Sequence, residues 1–157
     1  MELKRIISGG QTGSDRGGLD AAIHLHIPHG GWCPRGRKAE DGSIPSKYKL
    51  KETGSQEYPV RTELNIVDSD ATIVFTFGKA ERGSALTLSL CQKHKKPSLH
   101  IDLLNKVSQP HVTLVSEWLK RTKIEVLNVA GNRESVSPGI QQCVAEILIH
   151  AIKEEDK

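Results

Sequence analysis

Residues 71–77, ATIVFTF, are apolar and β-branched with no polar alternation, the pattern of a strand covered on both faces. Strands of that kind belong to parallel sheets flanked by helices, and the rest of the chain supplies both. LKRIIS (3–8), a shorter stretch near HGGWC, SLHIDL (98–103) and IEVLNVAG (124–131) read as four more strands. Between them lie helical spacings. Leu19, Ala22, Ile23 and Ile27 recur after Asp15, and Val60, Leu64 and Val67 follow Pro59, a residue suited to a first helical turn. GSALTLSLCQKHKK alternates leucines like a strand, but its length and place between strands favour a helix. Val112, Val115, Trp118 and Leu119 make another helical face. The last helix is expected to start at SPG, with Ser137 as cap and Pro138 in the first turn, burying Ile140, Val144, Ile147, Leu148 and Ala151. Strand–helix alternation predicts an α/β fold: one doubly wound, mainly parallel five-stranded Rossmann-like sheet with helices on both faces.

The 157 residues fit a single domain, 1–157, without internal repeats. No apolar run reaches the ~18–20 residues of a membrane span, and the start of the chain is no signal peptide. Three cysteines, Cys33, Cys91 and Cys143, stand far apart in no CxxC pair, which predicts reduced thiols, a cytoplasmic setting and no structural zinc. The net charge of +3 is too small to imply nucleic-acid binding. From 34 to 59 the chain shows almost no core pattern, and loops of that length are usually functional or disordered.

Glycine and arginine gather where these strands end. SGGQTGSDRGGLDAA (8–22) follows the first strand; CPRGRKAEDG, GKAERGS and AGNRES follow later ones. In doubly wound sheets ligands bind beyond the carboxyl ends of the strands. Free backbone amides at helix starts and guanidinium forks both suit oxyanions, so the sequence predicts an anion site, above all for phosphate. The opening stretch has neither GxxxxGK[ST] nor GxGxxG. Gly9, Gly10 and Gly13 make a tight turn that either holds a ligand or simply joins strand to helix. Gln11, Thr12 and Ser14 can add side-chain hydrogen bonds, and Asp15 reads as a helix N-cap. Arg35, Arg37 and Lys38 could hold phosphates, with Glu40 and Asp41 holding a metal or orienting the arginines; an exposed, self-neutralising loop is the alternative. Arg61 and Glu63 lie near a helix start, and Arg133 points where an anion would sit. The histidines of HLHIPH lack metal-ligand spacing. Trp32 is read as packing, and Cys33 beside Arg35 as a weak candidate thiol.

SGGQTGSDRGGLDAA, CPRGRKAEDGSIP, YPVRTELNIVDSDATIVF, GSALT and NVAGNRESVSPGI together resemble the "putative molybdenum carrier" family, within the wider superfamily of Lonely Guy- and DprA-like (SLOG) Rossmann-type proteins. The resemblance spans Ile6 to about Ile140 in five ordered blocks. It implies a nucleotide or nucleotide-like ligand, such as the phosphorylated pterin of the molybdenum cofactor, bound at the carboxyl edge, often in homo-oligomers. The family's binding positions correspond to Gly9, Gly10, Gln11, Thr12, Gly13 and Asp15, then to Arg35, Gly36, Arg37, Glu40 and Asp41. They continue through Arg61, Glu63 and Asn65 to Gly83 and Ser84, and end with Gly131, Arg133, Glu134 and Pro138. Lonely Guy phosphoribohydrolases carry PGGxGTxxE, whose glutamate supports cleavage of the base–ribose bond. Here GKAERGSALT puts Leu86 and Thr87 in the carboxylate region and Arg82 in place of a glycine, which removes an obvious transition-state stabiliser. The expected function is therefore a cytoplasmic binding or carrier protein for a phosphate-bearing ligand with a planar ring, a nucleotide or a molybdenum-cofactor-like pterin. It needs no metal of its own and no nucleic-acid or membrane partner. The rivals are a nucleoside-monophosphate N-glycosidase using Glu63 or Glu81, and a nucleotide-sensing regulatory module.

Overall fold

The structure, a computed structural model, describes residues 3–104 and 106–155. Its elements run β1 (Arg5–Ile7), α1 (Ser14–Leu25), β2 (His29–Gly30), β3 (Trp32–Cys33), β4 (Lys38–Ala39), β5 (Gly42–Ser43) and β6 (Lys51–Glu52). They continue α2 (Tyr58–Val67), β7 (Ala71–Thr76), α3 (Arg82–Lys93), β8 (Ser98–Asp102), α4 (Gln109–Thr122), β9 (Val126–Gly131) and α5 (Ile140–Glu155).

Five strands form the central sheet in the order β2-β1-β9-β7-β8, every neighbouring pair parallel. All six residues of β7 are buried, as its unbroken apolar run requires. The chain travels outward from β1 to β2, crosses to β7, moves outward again to β8, and returns to place β9 in the middle. Right-handed crossovers in opposite directions put helices on opposite faces. Accordingly α1, α4 and α5 pack together, and α2 packs on α3. The main core joins Ile73, Phe75, Leu127 and Val129 of the sheet to Trp118 of α4 and to Ile140, Val144 and Ile147 of α5. Among the described residues no helix is long and apolar enough to cross a membrane.

Four details depart from the periodicity reading. The excursion after β3 carries its own small core, in which Cys33, Ala39, Ile44 and Tyr48 pack with Leu19 of α1. Its two hairpin strands, β4 and β5, pair antiparallel. Helix α2 exists, but Val60 and Val67 are exposed, and the buried face is Thr62, Asn65 and Ile66. The reason is polar: Asn65 Oδ1 accepts from the Trp32 amide at 2.8 Å and its Nδ2 donates to the Trp32 carbonyl at 2.9 Å, stitching α2 to β3. On α1, Ile23 is exposed, and the N-cap is Gly13 rather than Asp15. Ser137 does not cap α5; the Glu134 carboxylate does, accepting from the amides of Gly139 and Gln141.

Candidate functional site

The glycine loop between β1 and α1 is covered by the protein itself. Residues 6–19 are all buried. A Cβ on Gly9 would run into the Arg61 side chain. Gly10 lies beneath Ile44 and Leu50. Gly13, at φ 82°, has no room for a Cβ, which would meet the Asn132 carbonyl and the Glu134 amide at 2.6 Å. Bare backbone here admits three neighbouring segments, so recognition passes to the side chains they bring.

One of those segments is the β4–β5 hairpin, held down by its two acids. Glu40 accepts from the Thr12 hydroxyl at 2.7 Å and from the Ser135 amide and hydroxyl at 3.2 and 2.7 Å. Its own amide donates to Gln11 Oε1 at 2.9 Å. Burial works against the Glu40 charge, but the hydrogen bonds from Ser135 and Thr12 prevail and hold its carboxyl below the usual range. Asp41 takes a two-pronged ion pair from the buried Arg16 at 2.7 and 2.9 Å, which likewise lowers its pKa. Both acids thus close the hairpin over the loop, and Asp41 orients an arginine. A cavity of about 490 Å³ opens beside this closure, walled by Arg16, Glu40, Asp41 and Glu134. Among the described residues no group of three or more His, Cys, Asp or Glu side chains could hold a metal ion.

Cations collect next to it, around Tyr58 at the start of α2. Lys38 Nζ stands 4.8 Å from the ring centroid, and the guanidinium carbons of Arg61 and Arg133 each stand 5.4 Å away. Lys38 arrives from β4, Arg61 from α2 and Arg133 from the turn after β9. Arg61 is mostly buried and lies 3.8 Å from Asp15, while its Nε has no hydrogen-bond partner among the described residues. Gln11 is 5% exposed, and its Nε2 likewise has none among them. Asp15 joins the two, because its Oδ2 also accepts from the Gln11 amide at 3.1 Å. Burial pushes the Asp15 carboxyl above its ordinary value despite the pull of Arg61, Arg16 and Arg133. Buried N–H groups without acceptors are costly. Gln11 contributes one such donor, and Arg61, itself one of the three cations, contributes the other.

Other expected residues lie elsewhere. Arg37 donates to the carbonyls of Ile44, Pro45 and Tyr48, and Arg35 to that of Gly54, so both fold the excursion onto itself. Gly36 donates its amide to Glu52 at 2.6 Å. Glu63 sits between α2 and α3, tied to Lys93 at 3.0 Å and His94 at 2.6 Å, which lower its pKa. Glu81 is exposed, 3.5 Å from Lys79. Gly83 begins α3 in the open, whereas Ser84 donates to Asn132 Oδ1 at 2.8 Å and Gly131 packs on the Phe75 carbonyl. Cys33 is buried and burial raises its pKa, the reverse of a reactive thiol. Trp32 donates its indole N–H to Asp68 at 2.8 Å. The sequence reading missed Tyr58; the signal was an aromatic three residues before Arg61, on the same side of a helix start.

A parallel sheet wound from both sides, with glycine turns at one edge, defines a Rossmann-like α/β protein. The chain belongs to the circularly permutated YpsA SLOG family, which it matches over residues 6–152. It is also similar to a crystal structure from Syntrophus aciditrophicus SB described as a "putative molybdenum carrier protein". That similarity amounts to 45% identity and a TM-score of 0.90, over 96% of this chain and 94% of the other. No curated protein gives a significant match.

Proposed function

We propose that this protein binds and carries a small anionic ligand bearing a phosphate and a planar ring, with a nucleotide or the molybdenum cofactor as cargo. One observation carries the reading. Lys38, Arg61 and Arg133, drawn from three distant segments, meet at Tyr58 beside the unpartnered N–H groups of Gln11 and Arg61. The cations supply charge for phosphate, the two buried donors await acceptor atoms, and the Asp15 carboxyl offers an acceptor for a ring or sugar N–H or O–H. The similarity to a protein described as a molybdenum carrier favours a molybdenum-containing cargo. The cofactor would bring its own ligands for the metal, and this chain would hold it by its phosphate. We place this binder in the cytoplasm, as a homo-oligomer.

The test uses protein purified under native conditions. Mass spectrometry of the small molecules released on denaturation, with elemental analysis for molybdenum, is expected to find a phosphate ester with a fused ring. The Arg61→Gln/Arg133→Gln variant should release at least tenfold less of it, equivalent to about 1.4 kcal/mol or more. Arg35→Gln should release as much as the parent. Full retention by the double variant would overturn the proposal. Release of free base from nucleoside monophosphates at enzymatic rates would replace it with the glycosidase reading.

A further inference from the structure

A second concentration of positive charge lies away from the Tyr58 cluster. The segment from Ile44 to Leu50 lies against the β2 edge of the sheet and borders an open surface cavity of about 470 Å³. Arg5, Arg37, Lys49 and Lys51 line it, and no carboxylate among the described residues does. None of these four cations forms a salt bridge among the described residues. Arg37 spends its donors on backbone carbonyls, and Lys49 Nζ reaches the Ser46 carbonyl at 3.0 Å. Lys51 Nζ rests 5.8 Å from the Trp32 ring centroid.

The backbone is shaped to keep Arg5 there. Its guanidinium crosses β2 at Gly30, in the space that any Cβ at that position would fill. Another side chain there would make the end of the arginine shift. Four like charges around one cavity raise the local positive potential and favour an anion there. The cavity size is within the range of small-molecule sites.

We propose that this cavity is a second anion site, which takes a phosphoryl dianion, either free phosphate or a phosphate monoester. It shares no lining residue with the Lys38, Arg61 and Arg133 group, so it stands or falls independently of the function proposed above.

His29 provides the probe. Its Nε2 accepts from the Lys49 amide at 3.1 Å, and burial, Lys49 and Arg5 together hold its pKa below the ordinary imidazole value. A dianion between Arg5 and Lys49 favours the charged imidazolium, so His29 must titrate higher when the cavity is filled. The experiment is a pH titration of the His29 ring by NMR, with the resonance assigned through His29→Gln. It compares sodium phosphate, ribose 5-phosphate and sodium chloride at one ionic strength.

A saturable rise of His29's pKa by at least half a unit is expected with either phosphoryl compound and not with chloride. The tighter of the two tells free phosphate from a monoester. Arg5→Gln/Lys49→Gln should abolish the rise, and Lys49→Gln/Lys51→Gln, which leaves the packing of Arg5 on Gly30 intact, should weaken it at least tenfold. Arg133→Gln should leave it unchanged. Equal shifts in chloride, persistence in both double variants, or loss in Arg133→Gln would each overturn the proposal.

Discussion

Two glycines in the family's binding blocks have opposite reasons to be glycine. Gly13 adopts φ 82° with the Asn132 carbonyl and Glu134 amide pressed against its α-carbon, so a methyl group there meets rigid backbone from the turn after β9. Left-handed strain and the clash add, and Gly13→Ala is expected to cost about 2–4 kcal/mol. Gly83 sits in the first turn of α3 with nothing near its α-carbon. Gly83→Ala removes backbone freedom from the unfolded chain and should stabilise by about 0.5–1 kcal/mol. Urea denaturation of both variants reads the difference directly. A mild effect at Gly13 would mean that the turn after β9 can give way, and that the loop is not clamped between its neighbours.

The β4–β5 hairpin is the element on which the candidate site depends, because it carries Lys38 to Tyr58 and is fastened through Glu40 and Asp41. Glu40→Ala leaves the buried Thr12 hydroxyl short of an acceptor, at a cost of about 1 kcal/mol, and releases the Ser135 amide to water. Amide exchange at Ser135 should accelerate accordingly. Both acids have folded-state pKa values below their unfolded ones, near 4.5 and 3.8. Their stabilisation is therefore complete above those unfolded values and is lost as pH falls through the folded ones. Acidification of the parent through the folded-state pKa of Glu40, which lies below 4.5, should lower the Ser135 protection factor to that of Glu40→Ala; a protection factor that does not change with pH would refute the fastening. Little of this hairpin was legible from the sequence. Its core is four short-range side chains with no period, and its purpose is set by partners 28 and 95 residues away from Glu40. The opposite holds for β7, α4 and α5, whose core faces repeat at strand or helix spacing and were legible residue by residue. Helix α2 was found with the wrong face, since the apolar count outweighed one buried asparagine. At the candidate site, glycine and arginine density pointed to the edge of the sheet where the turns after β1 and β9 meet. Density alone could not tell Arg61 and Arg133, which face Tyr58, from Arg35 and Arg37, which bond the backbone of their own loop.

At the scale of the whole molecule, the position of β9 is the distinctive fact. The order β2-β1-β9-β7-β8 becomes the Rossmann order 3-2-1-4-5 when counting starts at β9. The last strand and helix of this chain thus stand where a Rossmann-type protein has its first, in keeping with a family described as circularly permutated. In that frame β9, α5 and β1 form one right-handed crossover: α5 packs on α1, and β1 is the parallel neighbour of β9. The site gains from this arrangement, because the turns after β1 and β9 come from distant parts of the chain yet lie in contact through Ser14 and Asn132. Joining the ends of the chain through a short glycine–serine linker and opening it between Thr122 and Lys123 would restore the unpermuted order. Helix α4 ends there with Lys123 in the left-handed conformation, before the buried Ile124. Every strand pairing and the glycine-loop contacts remain possible in such a variant. It is expected to fold with the parent's far-UV spectrum, a cooperative urea transition, and the Ser135 amide protected as before. A molten or insoluble product would show that the covalent link from α4 to β9, and not strand order alone, holds β9 at the centre of the sheet.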